Sequence, residues 1–495
     1  MLSGPRRHPR PLMADSVLTT KPSIDSILAR AARLASDYLS ENKNRDRLVV
    51  DWLPPGKLRE KLGLKLPKEG RGLEAAFTDA QSFLKRSVRT GHPYFLNQLY
   101  TGSDPAALLG EWIASLANAS MYTYEVAPVF TLLEEELVRK MGKMAGWEDC
   151  EGIFNPGGSI SNLMAVLAAR NAAFPHAKQR GLLAEDRPVL FCSEEAHYSV
   201  PRAASVAGIG IDAARKVPVD SIGRMRPDAL ASMIQKALAD GFKPFMVSAT
   251  CGTTMPGAFD PLEELADLCE EHKLWLHADA AFGGSVLFSK KHRNLMDGVE
   301  RTNSLSWNPH KTMGVPLSCS ALLLPEKGQL KATNALDADY LFHDTAEAYC
   351  DRGDMTIQCG RRVDVLKLWL SWQSHGDEGY RRRVERAFDL TASGRDLLKL
   401  RDSFELVREP EGCTLLFRFL PPSLREQERD EAWNEKLERA NITLRERLKH
   451  EGRIMLNYAS LDGLATLRLV LTHPDLTVED LRFILDEMER AGANL

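Results

Sequence analysis

Ser306-Trp307-Asn308-Pro309-His310-Lys311 closes a short strand-like run that begins at Thr302. It leads through Thr312-Met313-Gly314 into an apolar run over residues 318–324. A lysine in a turn between two strands that read as buried is out of place, because lysine is among the residues least often buried. One reason to hold it there is covalent chemistry, since a desolvated amine loses its proton more readily and can form a Schiff base. The other reading is a solvated loop lysine, and this stretch alone does not choose between them.

Working outward, residues 187–324 alternate strand and helix patterns. Strands are predicted over 188–192, 244–250, 274–278, 304–307 and 318–324, with helices over 198–208, 227–239 and 261–272. That alternation predicts an α/β fold with a mainly parallel sheet covered by helices on both faces. Ligands of such sheets bind beyond the carboxyl ends of the strands. His197, Thr253 with Thr254, Asp279 and Lys311 all fall there. Asp279, among small residues at the end of an apolar strand, needs a partner for its charge. The protonated ring nitrogen of a pyridine cofactor is one candidate, and capping the following helix is the plainer one. His197 reads either as a ring stacked on an aromatic ligand or as a satisfied core histidine. Upstream, Asn155-Pro156-Gly157-Gly158-Ser159-Ile160-Ser161-Asn162 opens a helix whose first backbone N–H groups suit a phosphate, although a helix cap explains the same residues.

Residues 1–22 carry prolines and arginines without an apolar core and read as a disordered tail rather than a secretory signal. Residues 23–100 read as an N-terminal helical segment too small for a core of its own, so it is expected to pack on a second subunit. The apolar run from His92 to Tyr100 embeds Asn97 and Gln98, amides that either brace a loop or face a ligand. A large domain is expected over 101–379 and a smaller α+β domain over 380–495, entered through a long basic helix. Arg468 stands inside Leu467-Arg468-Leu469-Val470-Leu471, where burial calls for an anionic partner. Tyr340 precedes a polar segment, 343–354, without strong periodicity, which is expected to act as a lid.

The chain has 495 residues and a net charge of −4, which gives no support for a nucleic-acid partner. No apolar run is long enough to span a bilayer, so no membrane association is expected. Eight cysteines without a C-x-x-C pair argue against a zinc site or disulfide framework, so no metal and a cytoplasmic location are expected.

Taken together, Asn-Pro-His-Lys at 308–311, His277-Ala278-Asp279-Ala280-Ala281, Pro-Gly-Gly-Ser-x-Ser-Asn at 156–162 and Tyr122-Thr123-Tyr124-Glu125-Val126-Ala127-Pro128 resemble a known family. It is the group II pyridoxal-phosphate decarboxylases acting on glutamate and cysteine sulfinate, and the resemblance runs from about residue 25 to the C-terminus. It implies the aspartate-aminotransferase-like fold type I, a homodimer and pyridoxal 5'-phosphate as cofactor. It further implies that Lys311 forms the Schiff base with His310 beside it, that Asp279 pairs with the ring nitrogen, and that Ala281 and His197 cover the two ring faces. Gly158, Ser159, Thr253 and Asn308 would hold or orient the cofactor. Gln98 and Arg468 match positions that hold an acidic substrate, Arg468 taking the α-carboxylate, and Tyr340 matches a loop tyrosine proposed as proton donor. Tyr100, Ser120 and Tyr122 resemble the cysteine-sulfinate enzymes more than the glutamate enzymes. The resemblance therefore implies decarboxylation of cysteine sulfinate to hypotaurine, with cysteate and aspartate as overlapping substrates. The rival readings are a glutamate decarboxylase and an inactive binding protein on the same fold.

Overall fold

Five strands, β1 (Glu151–Asn155), β2 (Pro188–Ser193), β3 (Ala214–Val217), β4 (Lys243–Thr250) and β5 (Trp275–Ala280), are joined by β6 (Ser304–Trp307) and β7 (Ser320–Leu324) into one sheet. These come from a computed structural model that describes residues 23–336, 340–343 and 346–495. The tail expected over 1–22 and parts of the expected lid lie outside the described residues. Strands β1, β5, β6 and β7 are buried along their full length, so both faces of the sheet are covered there.

The strand order is β1-β7-β6-β5-β4-β2-β3. Neighbours from β3 to β6 run parallel, while β7 is antiparallel to both β6 and β1. The expected mainly parallel α/β sheet is therefore present. Two of its strands escape a reading by hydrophobic pattern. β1 begins with Glu151, whose buried carboxylate accepts from the N–H groups of Gly328 and Leu330 at 2.8 and 2.7 Å. β3 is an edge strand carrying Arg215 and Lys216, with the Arg215 guanidinium over the Phe242 ring.

Helix Pro105–Ala117 crosses helix Val365–Lys399 at a point of close approach, because a Cβ on Gly110 would lie 2.7 Å from Lys367 Cα and 2.8 Å from Leu366 O. The second helix breaks at Gly376, where φ is 61° and ψ is −179°, backbone that glycine reaches without a Cβ penalty. Lys367 is buried beneath the crossing, paired with Asp364 at 2.7 Å and donating to the Ser318 carbonyl at 2.8 Å. Beside it, Arg361 and Glu134 form an ion pair with both side chains almost inaccessible. Glu134 also accepts from Phe154 N at 2.8 Å, and Arg361 donates to Met121 O at 2.7 Å, which ties helix Pro128–Met144 to β1.

A second sheet, β8 (Phe404–Arg408), β9 (Thr414–Phe419), β10 (Asn457–Leu461) and β11 (Leu464–Val470), is fully antiparallel in the order β10-β11-β9-β8. Helices Glu431–Glu451 and Val478–Gly492 cover it. Residues 94–96 are stitched onto this layer, with Leu96 N donating to Met455 O and Met455 N to Tyr94 O. Residues 42–52 and 88–495 form one compact unit. Residues 23–41 and 53–87 form the other, in which Arg30 pairs with Glu74 at 2.6 Å and lies over the Phe77 ring. Ile24, Leu28, Leu73 and Phe83 remain exposed on that helical unit.

The Gly110→Ala substitution is expected to force the two helices apart and cost about 1–3 kcal/mol. Glu134→Ala leaves Arg361 charged and buried, with an expected cost of about 3–5 kcal/mol. Thermal unfolding midpoints ranked wild type, Gly110→Ala, Glu134→Ala in descending order would bear this out, and unchanged midpoints would contradict it.

Candidate active site

The carboxyl ends of β2, β4, β5 and β6 and the loop after β1 converge on a cavity of about 300 Å³. Gly158, Ser159, His197, Asp279, Ala281, Asn308, His310 and Lys311 all line it, so the motifs spread over 150 residues of sequence meet on one wall system. Asn162, Tyr198, Ser199, Thr250, Thr254 and Phe282 complete much of the rest.

Gly157 precedes helix Gly158–Ala173 with φ of 119°, and Gly157, Gly158 and Ser159 line the cavity at the helix start, where the first N–H groups lack intrahelical partners. A Cβ on Gly158 would lie 2.8 Å from Asn308 Nδ2, so only glycine lets the loop and the Asn308 side chain approach this closely. Asn308 Oδ1 accepts from Ser320 Oγ at 2.6 Å, which turns its Nδ2 donor to the glycine side.

Lys311 follows β6 in a tight turn, its N–H donating to Asn308 O at 3.0 Å. Burial lowers its pKa, and the charge of Arg468 pushes the same way against the opposing effect of Asp279. The neutral, nucleophilic amine is thereby favoured. His310 is brought down to about 4 by burial and is neutral at physiological pH. Its Nδ1 lies 2.6 Å from the Cys319 carbonyl oxygen and 3.1 Å from the Cys319 N–H, so the backbone of Cys319 holds the ring in place.

Asp279 is 4% exposed. Its Oδ2 accepts from Asn162 Nδ2 at 2.7 Å, and its Oδ1 from Ala281 N and Ser306 Oγ at 3.2 Å each. These partners are all neutral, so the carboxylate keeps its charge available to a cation in the cavity. His197 has a lowered pKa, chiefly through burial, and its Nδ1 contacts Ser199 Oγ at 2.8 Å.

Pyridoxal 5'-phosphate fits what these residues offer. A desolvated lysine stands for an aldehyde, an unpaired buried carboxylate for a ring cation, and a glycine-lined helix start for a phosphate. Among the described residues, Thr250 Oγ1 is buried on the cavity wall without a partner, which leaves a polar group for a ligand to satisfy.

Other sequence candidates lie off the cavity wall. Thr253 is fully buried and its hydroxyl accepts from Ala258 N at 2.9 Å, so it braces the loop while Thr254 lines the cavity. Arg468, 3% exposed, donates to Thr254 O at 2.6 Å and Asn97 O at 2.8 Å, and burial brings its pKa down to about 10. Among the described residues its hydrogen-bond partners are these two carbonyls and the Met255 sulfur. Gln98 is half-buried next to Asn97, and Tyr100 packs its ring against Phe95. Ser120 Oγ accepts from Arg361 N at 3.1 Å, and Tyr122 packs over Gly353 and stacks on Phe342 with centroids 5.2 Å apart. Tyr340 is 81% exposed, close enough to Tyr122 to help raise its pKa, which burial raises most.

The sequence reading passed over Asn162, Ser199 and Ser306 as site residues. Asn162 sits one helical turn after Gly158, a spacing that puts both on one helix face and could have flagged it.

A family model described as the pyridoxal-dependent decarboxylase conserved domain matches residues 55–420. Human cysteine sulfinic acid decarboxylase is 45% identical over 466 residues, covering 93% of this chain and 94% of that protein. Acidic amino acid decarboxylase GADL1 of Xenopus tropicalis is 39% identical over 494 residues, covering 98% of this chain and 97% of that protein. The crystal structure of mouse CSAD in apo form superposes with a TM-score of 0.92 at 42% identity, covering 95% of this chain and 99% of that one. With the lysine, aspartate, histidine and glycine loop gathered around one cavity, the chain belongs to the pyridoxal-dependent decarboxylases, fold-type-I carboxy-lyases that use pyridoxal 5'-phosphate.

Proposed function

We propose that this protein decarboxylates small acidic amino acids, cysteine sulfinate to hypotaurine first, with cysteate and aspartate (to β-alanine) as overlapping substrates. The observation that carries this reading is Arg468, a buried guanidinium that hydrogen-bonds carbonyls rather than a carboxylate and lies close enough to Lys311 to depress its pKa. An anionic substrate supplies the countercharge that burial of this arginine calls for. The names of the human and Xenopus relatives support the same substrate class.

In this reading Lys311 anchors the cofactor, and Gly158, Ser159 and Asn308 hold its phosphate end. The Asp279 carboxylate faces its ring nitrogen, and Ala281 and His197 form the walls on either side. When bound, pyridoxal 5'-phosphate supplies the electron sink for the charge left on the α-carbon as carbon dioxide departs. Arg468 holds the departing carboxylate in position, a task worth much of the barrier when the geometry is right. Gln98 lies next to the Asn97 carbonyl that Arg468 holds and contributes to the same subsite.

Ser120, Tyr122 and Tyr340 do not line the cavity of their own chain. That placement, with the exposed apolar residues of the N-terminal helical unit, supports a homodimer in which this group faces the partner's cavity. Tyr340 then delivers the proton to the α-carbon, and Tyr100 and Tyr122 shorten the pocket for the side-chain acid. All eight cysteines are free, seven of them buried, which supports a reducing, cytoplasmic setting. Among the described residues no helix is long and apolar enough to cross a membrane.

An equimolar mixture of cysteine sulfinate, cysteate, aspartate and glutamate is expected to yield chiefly hypotaurine, taurine and β-alanine. A majority of γ-aminobutyrate would reject the substrate assignment and leave the family standing. Because one methylene is worth only about 1–3 kcal/mol, the products should overlap rather than exclude each other. Arg468→Met is expected to lose about 3 kcal/mol, more than a hundredfold in kcat/KM, while retaining the visible band of bound cofactor.

Lys311→Ala is expected to abolish that band. In the wild-type apo-protein, the rate of cofactor capture should rise with pH and level off below the ordinary lysine range, because burial favours the neutral amine. A plateau reached only at the pH of free lysine would contradict the burial argument.

A further inference from the structure

The buried side chains behind the cavity form a directed chain of hydrogen bonds, and Asn162 is its branch point. Asp279 Oδ2 can only accept while ionised, so the Asn162 atom 2.7 Å from it is Nδ2. The second proton of that amide goes to Ser199 Oγ at 2.9 Å. Ser199 N–H points to His197 Nδ1 at 3.2 Å, which makes that nitrogen an acceptor, and the Ser199 hydroxyl proton goes to it at 2.8 Å. On the other side, Asn162 Oδ1 accepts from His277 Nε2 at 3.2 Å and shares the one Ser306 hydroxyl proton, at 3.0 Å, with Asp279 Oδ1 at 3.2 Å. His277 Nδ1 is then an acceptor for Ser304 Oγ at 2.8 Å, whose oxygen accepts from Trp275 Nε1 at 2.8 Å. Every donor in the chain has an acceptor. Turning the amide over would set Oδ1 against the Asp279 carboxylate and Nδ2 against the His277 N–H, leaving buried groups of like polarity facing each other.

We infer that Asn162 is a positioning residue for the reaction: one amide holds the Asp279 carboxylate in place and, through Ser199, presents His197 to the cavity as the Nε2–H tautomer. A neutral ring with Nε2–H toward the cavity offers a donor to an anionic ligand without adding a full charge beside Lys311. The same helical turn carries Ser161, whose hydroxyl links Asn155 and Ser320 to Asn308, so adjacent residues orient two cavity-facing donors by separate routes.

This inference rests on the cavity being the cofactor site and is independent of which acidic amino acid reacts. The test begins with ring ¹⁵N shifts of the full-length apo-protein labelled at histidine, with His197 assigned by its loss in His197→Gln. The expected pattern is an unprotonated Nδ1 and a protonated Nε2 for His197; a protonated Nδ1 on His197 would overturn the inference. In Ser199→Ala only the backbone N–H still faces His197, so its shifts should move toward a tautomer mixture. There kcat should fall about tenfold with KM and pyridoxal 5'-phosphate affinity within threefold of wild type, and Ser199→Thr should restore kcat. Asn162→Ala should weaken cofactor affinity as well, because Asp279 also loses its donor. Wild-type kcat and unmoved ring shifts in Ser199→Ala would overturn the inference, as would a Thr variant no better than the Ala one. Should Asn162→Ala fail to fold, the wild-type tautomer and the two Ser199 variants still decide.

Discussion

A carboxylate held in the interior without a cation among its hydrogen-bond partners is the constraint on which the rest of this site depends. Asp279 ends a strand buried along its whole length, in a sheet whose helices exclude water from both faces. Leaving such a charge unpaired is costly, and three neutral donors offset part of that cost. What remains is attraction for a cation at one place in the cavity. The desolvation that makes Asp279 costly also disfavours the ammonium form of Lys311, so one dry cavity prepares both a cation-seeking acid and a nucleophilic amine.

The loop after β4 carries this arrangement into the C-terminal layer. Thr253 closes the loop on itself through Ala258, and Thr254 turns to the cavity. Arg468 on β11 grips the Thr254 carbonyl, and Glu411 grips Phe259 N at 2.7 Å while pairing with Arg224. The C-terminal layer thereby holds the loop at two points by hydrogen bonds, and Cys413 and Val470 of the same layer pack with the cavity-lining Phe282. This gives β11 a use for an arginine inside an otherwise apolar strand.

Much of the site was legible in the sequence because its residues follow strand ends directly. A buried parallel strand announces itself by an apolar run, and the polar residue at its end or in the turn that follows, Asp279 or Lys311, must face the carboxyl edge of the sheet. His197, four residues beyond β2, follows the same logic. Where that logic weakened, the reading did too. β1 carries Glu151 and Asn155 at its ends, and β3 is half charged, so neither shows an apolar run. Thr253 and Thr254 are indistinguishable by type, and only the turn geometry decides which hydroxyl reaches the cavity and which braces the loop. Asn162, inside a helix of small and apolar residues, is marked in the sequence only by its spacing from Gly158, which does not show that its amide joins two strands and a second helix start.

The sequence by itself determined the chemistry: a lysine in a turn between buried strands, an aspartate at the end of another and a glycine-rich helix start, in the order and spacing of the pyridoxal-dependent decarboxylases. It determined the parallel sheet for the same reason, since hydrophobic runs and the helices between them are local properties. The tertiary structure decided which hydroxyls and amides turn inward and that Arg468 hydrogen-bonds the carbonyls of Thr254 and Asn97. Those outcomes depend on donors and acceptors brought together from up to 371 residues apart, as Arg468 and Asn97 are. A hydrogen bond has direction only once both of its partners are in place.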